Sequence, residues 1–252
     1  MPLVNVETHG QIARITLAGP PVNALDPELC DDLTRAVRQA AEQGAAGIVL
    51  AGGPKVFSAG LDVPFLLSLG DDRARVRSAW QAFFAAARTL ASSPVPVVAA
   101  IAGHAPAGGC VLALCCDYRV MAEGPYRIGL NETQVGLVAP EGIQHLMRRV
   151  VGSHRAERLL VGGELVESAR ALACGLVDEL AAADEVVTRA HAWLEGLLAL
   201  PRMPVLQTRA IARADLLAAL EPERIQLDRF VEAWTHPDTQ AGLKALVARL
   251  GK

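Results

Sequence analysis

Aromatic residues are scarce in this chain: five Phe, three Trp and two Tyr make up 4% of 252 residues. Hydrophobic side chains still reach 52%, so small and aliphatic residues must build the core, and disorder is excluded. Long hydrophobic runs are missing too. Val97–Ala102 and Cys110–Cys116 fall far short of the roughly 18–20 residues that span a bilayer, so no membrane association is expected. The start, MPLVNVETHG, has no basic residue ahead of an apolar stretch and no Arg-rich amphipathic character. A cytoplasmic location is the expectation. No excess of one charge sign exists: the net charge is -3 and the pI near 6.1. Nucleic-acid binding driven by bulk electrostatics is therefore not expected.

Cysteine pairing motifs are absent as well. The five cysteines, Cys30, Cys110, Cys115, Cys116 and Cys174, are odd in number, lack a CxxC and include two neighbours. That pattern predicts reduced, partly buried thiols. The six histidines show no HExxH spacing, so no metal is expected. Neither GxxxxGK[ST] nor a GxGxxG after a strand occurs, which argues against a phosphate loop.

What is present reads as strands alternating with helices. Leu3, Val4 and Val6, then Ile12, Ile15 and Leu17, flank His9-Gly10 as a hairpin. Asp26-Pro27 is a helix start, and Leu29, Leu33, Val37 and Ala40 follow at helical spacing up to about Gly44. Gly47–Ala51 and Val95–Ala102 are expected as buried strands, and Tyr118–Met121 and Tyr126–Ile128 as further strands. Helices are expected over Val63–Leu69, Asp72–Ser92 and Gly108–Cys116. Beyond Gly142 helical patterns dominate, interrupted by a short strand at Leu176–Leu180. Alternation predicts an α/β layer architecture, divided here into a core over residues 1–180 and a helical region over 181–252.

Two segments run from a buried strand through a glycine turn into a helix: Phe57-Ser58-Ala59-Gly60-Leu61-Asp62 and Pro106-Ala107-Gly108-Gly109-Cys110. Glycine lets a ligand approach the backbone, and the first N–H groups of a helix lack intrahelical acceptors. Two such groups aimed at one point form an oxyanion hole, each donor worth roughly 3–4 kcal/mol in a dry site. For either turn taken alone, ordinary α/β packing is the commoner reading. The stretch Ile128–Gly142 is mostly apolar, and its only acids are Glu132 and Glu141. A carboxylate buried among apolar groups has a raised pKa and suits a general base. An exposed loop acid or a helix cap is the other reading of each.

These segments, with Cys116-Asp117-Tyr118-Arg119, Pro20-Pro21-Val22-Asn23-Ala24-Leu25 and Ala173-Cys174-Gly175-Leu176-Val177-Asp178-Glu179, resemble the crotonase (enoyl-CoA hydratase/isomerase) superfamily. Ile128-Gly129-Leu130-Asn131-Glu132-Thr133 with Ala139-Pro140 is most similar to the mitochondrial type of Δ3-Δ2-enoyl-CoA isomerase. The resemblance implies a superhelix of ββα units, a helical C-terminal trimerisation region, and a homotrimer or dimer of trimers. It implies an acyl-CoA substrate, with coenzyme A as part of that substrate and no separate cofactor, and a place in fatty acid β-oxidation.

The resemblance also assigns roles. Leu61 and Gly108 would donate backbone N–H groups to the thioester oxygen. Glu132 would move a proton from C2 to C4. Ala24, Leu25, Ala59, Gly60 and Gly109 would contact substrate. Lys55 is a candidate for a CoA phosphate or a solvated loop lysine. Lys244, Arg249 and Lys252 are further candidates for the CoA nucleotide. Related hydratases carry a second glutamate just after the Gly-Gly-Cys turn, where this chain has Val111. One departure is Pro140-Glu141-Gly142, which resembles the segment holding the base in peroxisomal-type isomerases. Both glutamates are therefore candidate bases, with Glu132 preferred on its flanking sequence. Hydration, another thioester reaction, or CoA binding without catalysis are the competing functions.

Overall fold

The computed structural model describes residues 2–250. The chain opens with an antiparallel hairpin, β1 (Val4–His9) and β2 (Ile12–Leu17), in register from Val4 against Leu17 to His9 against Ile12. A cis Pro20–Pro21 bond leads to β3 (Ala24–Leu25). Helix α1 (Pro27–Glu42) starts where its sequence says it should, because the Asp26 carboxylate accepts the Leu29 N–H at 2.8 Å. Then come β4 (Gly47–Ala51), β5 (Gly60–Leu61), α2 (Val63–Ser68) and α3 (Arg73–Ala91). Asp62 and Asp72 cap these two helices through the N–H groups of Phe65 and Arg75. The middle of the chain supplies β6 (Val97–Ile101), β7 (Ala105–Pro106), α4 (Gly108–Leu114), β8 (Tyr118–Ala122) and β9 (Arg127–Gly129). A 3-10 turn (Glu132–Val135) follows, then α5 (Glu141–Val151), α6 (Ser153–Gly162), β10 (Val166–Glu167), α7 (Ser168–Ala173) and β11 (Glu179–Ala181). The remainder is helical: α8 (Val186–Leu198), α9 (Arg202–Ala212), α10 (Ala214–Ala219), α11 (Pro222–Ile225), α12 (Leu227–Trp234) and α13 (Pro237–Leu250).

The main sheet has six strands in the order β1-β2-β4-β6-β8-β11, parallel from β2 onward. Both of its faces are covered, which is why β4 and β6 read as unbroken apolar runs. Ile48, Leu50, Val97, Ala99 and Ile101 face the larger core with α1, α3 and α4. Val49, Ala51, Val98 and Ala100 alternate onto the other face, where Val186, Ala190 and Leu194 of α8 cover them. Gly47 packs closely there: a Cβ on it would lie 3.0 Å from Leu194 Cδ2.

One detail corrects the sequence reading. The strand expected at Leu176–Leu180 begins only at Glu179, because Leu176 and Val177 close the end of α7 with N–H bonds to Ala171 O. The aromatics Trp80 and Phe83 are core residues of α3, with Phe230 and Trp234 of α12 packed on the Trp80 ring.

Candidate functional site

Two small sheets outside the main one assemble the site. β3 pairs in parallel with β5, setting Ala24 against Gly60 and Leu25 against Leu61. Buried Asn23 and Ser58 stitch this pairing. Asn23 Nδ2 donates to Phe57 O at 2.9 Å, Ser58 Oγ donates to Asn23 O at 2.7 Å, and the Gly60 N–H donates to Ser58 Oγ at 3.2 Å. Asp62 N–H donates to Leu25 O, so the Leu61 N–H, one residue earlier on the strand, points away from β3.

The backbone just before it lies against the second glycine turn. A Cβ on Gly60 would lie 3.1 Å from Gly108 N, and one on Gly109 would lie 2.5 Å from Ser58 O. Gly60 also needs its missing side chain for its φ of 86°. Gly108 is the first residue of α4, so its N–H has no intrahelical acceptor. Ala107, just before it, is held at φ 47° and ψ -118°, a strained conformation for a residue with a Cβ. The bond from Ala107 N–H to Gly129 O, 2.8 Å, helps hold it there. Behind the turn stands Phe83, whose Cε2 would be 3.2 Å from a Cβ on Gly108. The structure thus brings Ala24, Leu25, Gly60, Leu61, Gly108 and Gly109 together, with Ala59 tied in by its N–H bond to Val22 O.

Glu132 reaches the same region through the second small sheet. β7 pairs with β9, Pro106 opposite Gly129, and the 3-10 turn begins three residues later. Glu132 Oε2 is shielded from solvent and has no hydrogen-bond partner among the described residues. Burial pushes its carboxyl up to about 7, opposed by a bond from its own backbone N–H. The charge is close enough to Cys110 to add to the burial that pushes that thiol up.

Glu141 stands apart in character. It opens α5, is exposed, and is ion-paired with Arg224 at 3.0 Å. Lys55 is exposed, although its backbone is pinned beneath the second turn by the His104 N–H, which donates to Lys55 O at 2.9 Å. Lys244 and Arg249 are exposed on α13, and Lys252 lies outside the described residues. Among the described residues no cluster of three His, Cys, Asp or Glu could hold a metal ion, and no helix is long and apolar enough to cross a membrane.

Sequence reasoning missed the groups that support the site: Asn23, Ser58, and the buried charge cluster behind α4. In that cluster Asp117 binds Arg209 with both oxygens, at 2.7 and 2.9 Å, and Arg213 at 3.0 Å. Asp117 also accepts the Val97 N–H at 2.8 Å. The burial of Ser58 was not visible from its neighbours in the sequence.

This fold, a mainly parallel sheet with a helical C-terminal region, is shared with enzymes of the crotonase superfamily. Residues 7–250 match the enoyl-CoA hydratase/isomerase family, and the chain belongs to it. It is 39% identical over 203 residues to mitochondrial enoyl-CoA delta isomerase 1 of Mus musculus, covering 79% of this chain and 70% of that protein. The Homo sapiens counterpart is 32% identical over 252 residues, 98% of this chain and 83% of that one. The crystal structure of human mitochondrial delta3-delta2-enoyl-CoA isomerase superposes with a TM-score of 0.93, covering 99% of this chain and 98% of that one. A probable enoyl-CoA hydratase of Mycolicibacterium paratuberculosis is 32% identical over 228 residues, 86% of each chain.

Proposed function

We propose that the protein converts 3-enoyl-CoA to 2-trans-enoyl-CoA. The N–H groups of Leu61 and Gly108 hold the thioester oxygen. The Glu132 carboxylate removes a proton from C2, and the electron pair moves into an enolate whose negative oxygen those two donors stabilise. The same carboxyl, now protonated, returns the proton at C4 as the double bond moves to C2. One acid/base is sufficient, and no cofactor beyond the CoA of the substrate takes part.

The observation that carries this reading is Glu132 Oε2, shielded and without a partner. A carboxyl raised to about 7 accepts a proton from a weakly acidic carbon and gives it back near neutral pH. Hydration requires a second group to activate water. Val111, buried at 2% exposure, offers none, and Glu141 is engaged with Arg224. Self-association as a trimer or dimer of trimers is part of the proposal. Helix α9 buries none of its residues within the chain and exposes Met203 and Ile211. The test is turnover of 3-hexenoyl-CoA and of crotonyl-CoA. Isomerisation should far exceed water addition, and comparable rates would overturn the assignment.

A further inference from the structure

The carboxyl that does this chemistry sits on a weak platform. A single 3-10 turn has poor hydrogen-bond geometry and cannot by itself fix a side chain to the roughly 0.5 Å that catalysis requires. Here the turn is gripped from two sides. On one side is the end of α6. Thr133 Oγ1 donates to Leu160 O at 3.3 Å and Gln134 Nε2 donates to Gly162 O at 3.2 Å. A Cβ on Gly163 would lie 2.5 Å from Thr133 Oγ1.

On the other side is α13. Thr239, only 6% exposed, donates its hydroxyl to Gly136 O at 2.7 Å. A Cβ on Gly242 would lie 2.7 Å from Val135 O and 2.8 Å from Val135 C. Gly136 meets this surface in turn: a Cβ there would lie 2.8 Å from Asp238 O. These are backbone-to-backbone approaches, so neither side can relax by turning a side chain. The same helix packs on α2, which begins directly after Leu61 and Asp62. One rigid element therefore touches both the turn bearing the carboxylate and the helix that follows the oxyanion donor. Leu243, fully buried, ties the helix into the main core.

We infer that α13 is the strut that sets Glu132 against the oxyanion donors, with Gly242 and Thr239 as positioning residues for the catalytic carboxyl. The inference rests on Glu132 being the base. Adding a methyl group at Gly242 must push α13 and the 3-10 turn apart, which moves the carboxylate and lets water reach it. Removing the Thr239 hydroxyl frees Gly136 O from its buried donor without changing the side-chain shape.

The experiment compares wild type with Gly242→Ala, Thr239→Val and Thr239→Ser on 3-hexenoyl-CoA. In parallel the Glu132 carboxyl is titrated by carbon-13 NMR. For Gly242→Ala, kcat should fall at least about tenfold while KM stays within about twofold, because misplacement of a reacting group costs rate more than binding. The carboxyl midpoint should drop toward that of a solvated glutamate. Thr239→Val should follow the same direction more weakly, and Thr239→Ser should restore both readouts. A folded Gly242→Ala with unchanged kcat and titration overturns the inference. If that variant does not fold, Thr239→Val and Thr239→Ser decide: identical behaviour of the two overturns it. If wild type fails to isomerise 3-hexenoyl-CoA, the proposed reaction falls, and the titration alone decides the role of the strut.

Discussion

Gly60 and Gly108 touch through their backbones: a Cβ on Gly108 would lie 3.2 Å from Gly60 Cα and 2.9 Å from Leu25 Cδ1. The two proposed oxyanion donors are thus carried on turns in close contact, where a Cβ at Gly108 must displace Leu25 and press on Gly60. Gly108→Ala must move one donor away from the other. A loss of about 10²–10³ in kcat is expected from one misplaced donor, with the far-UV spectrum unchanged. Near wild-type turnover by a folded Gly108→Ala would show that this N–H does not bind the developing charge.

Glu132→Gln removes the proposed base and keeps the shape. Activity on 3-hexenoyl-CoA should fall by about 10²–10⁴. Stability should move the other way, and its sign follows from the carboxyl midpoint, about 7 in the folded chain against 4.5 for an unperturbed glutamate. Between those values the folded state binds more protons than the unfolded one, so wild type loses stability as pH rises. Glu132→Gln should then be more stable than wild type at pH 8, by on the order of 2–3 kcal/mol. The difference should vanish below about pH 4.5. Urea unfolding at both pH values measures it, and a Gln variant less stable at pH 8 contradicts the burial of the charge.

The same titration sets the rate profile. Only the ionised carboxyl can take the C2 proton. Therefore kcat/KM should rise with pH through an acid limb centred near 7 and lose that limb in Glu132→Gln. A limb centred near 4.5 would point to a solvated base.

Glu141→Gln tests the rival base. The Glu141 side chain is 50% exposed and its partner Arg224 49%, so the pair is worth less than about 1 kcal/mol. Stability should change little, and activity should stay within about threefold of wild type. Loss of nearly all turnover in Glu141→Gln, with Glu132→Gln active, would transfer the catalytic role.

Asp117→Ala probes the frame behind α4. It strands Arg213, 7% exposed, and Arg209 without their counter-charge. Breaking a buried pair in this way costs about 3–5 kcal/mol. Chemical denaturation should report that loss, and a change under about 1 kcal/mol would show that the two arginines find other partners.

Long periodic elements were legible in the sequence, and their interplay was not. The hairpin, α1 with its Asp26 cap, and the apolar β4 and β6 each announce themselves within a short window. β3, β5, β7 and β10 are two residues each, too short to show any period, yet β3, β5 and β7 bring the site together. Both glycine turns were readable as turns, but the sequence does not record that Gly60 packs on Gly108. The Asp117 cluster joins residues 92 and 96 positions apart, so no local pattern signals it. Glu132 and Glu141 look alike in an apolar stretch, and only the fold separates a shielded carboxyl from one paired with Arg224.

The buried Cys110 acquires a meaning from the proposed product. A 2-enoyl thioester is an electrophile at C3, open to attack by any thiolate within reach. Cys110 follows Gly108 by two residues, next to the reaction, and is completely enclosed. Its surroundings and the Glu132 charge both disfavour the thiolate. If the proposed reaction is the right one, its 2-enoyl product meets an enclosed, protonated thiol at this position rather than a thiolate.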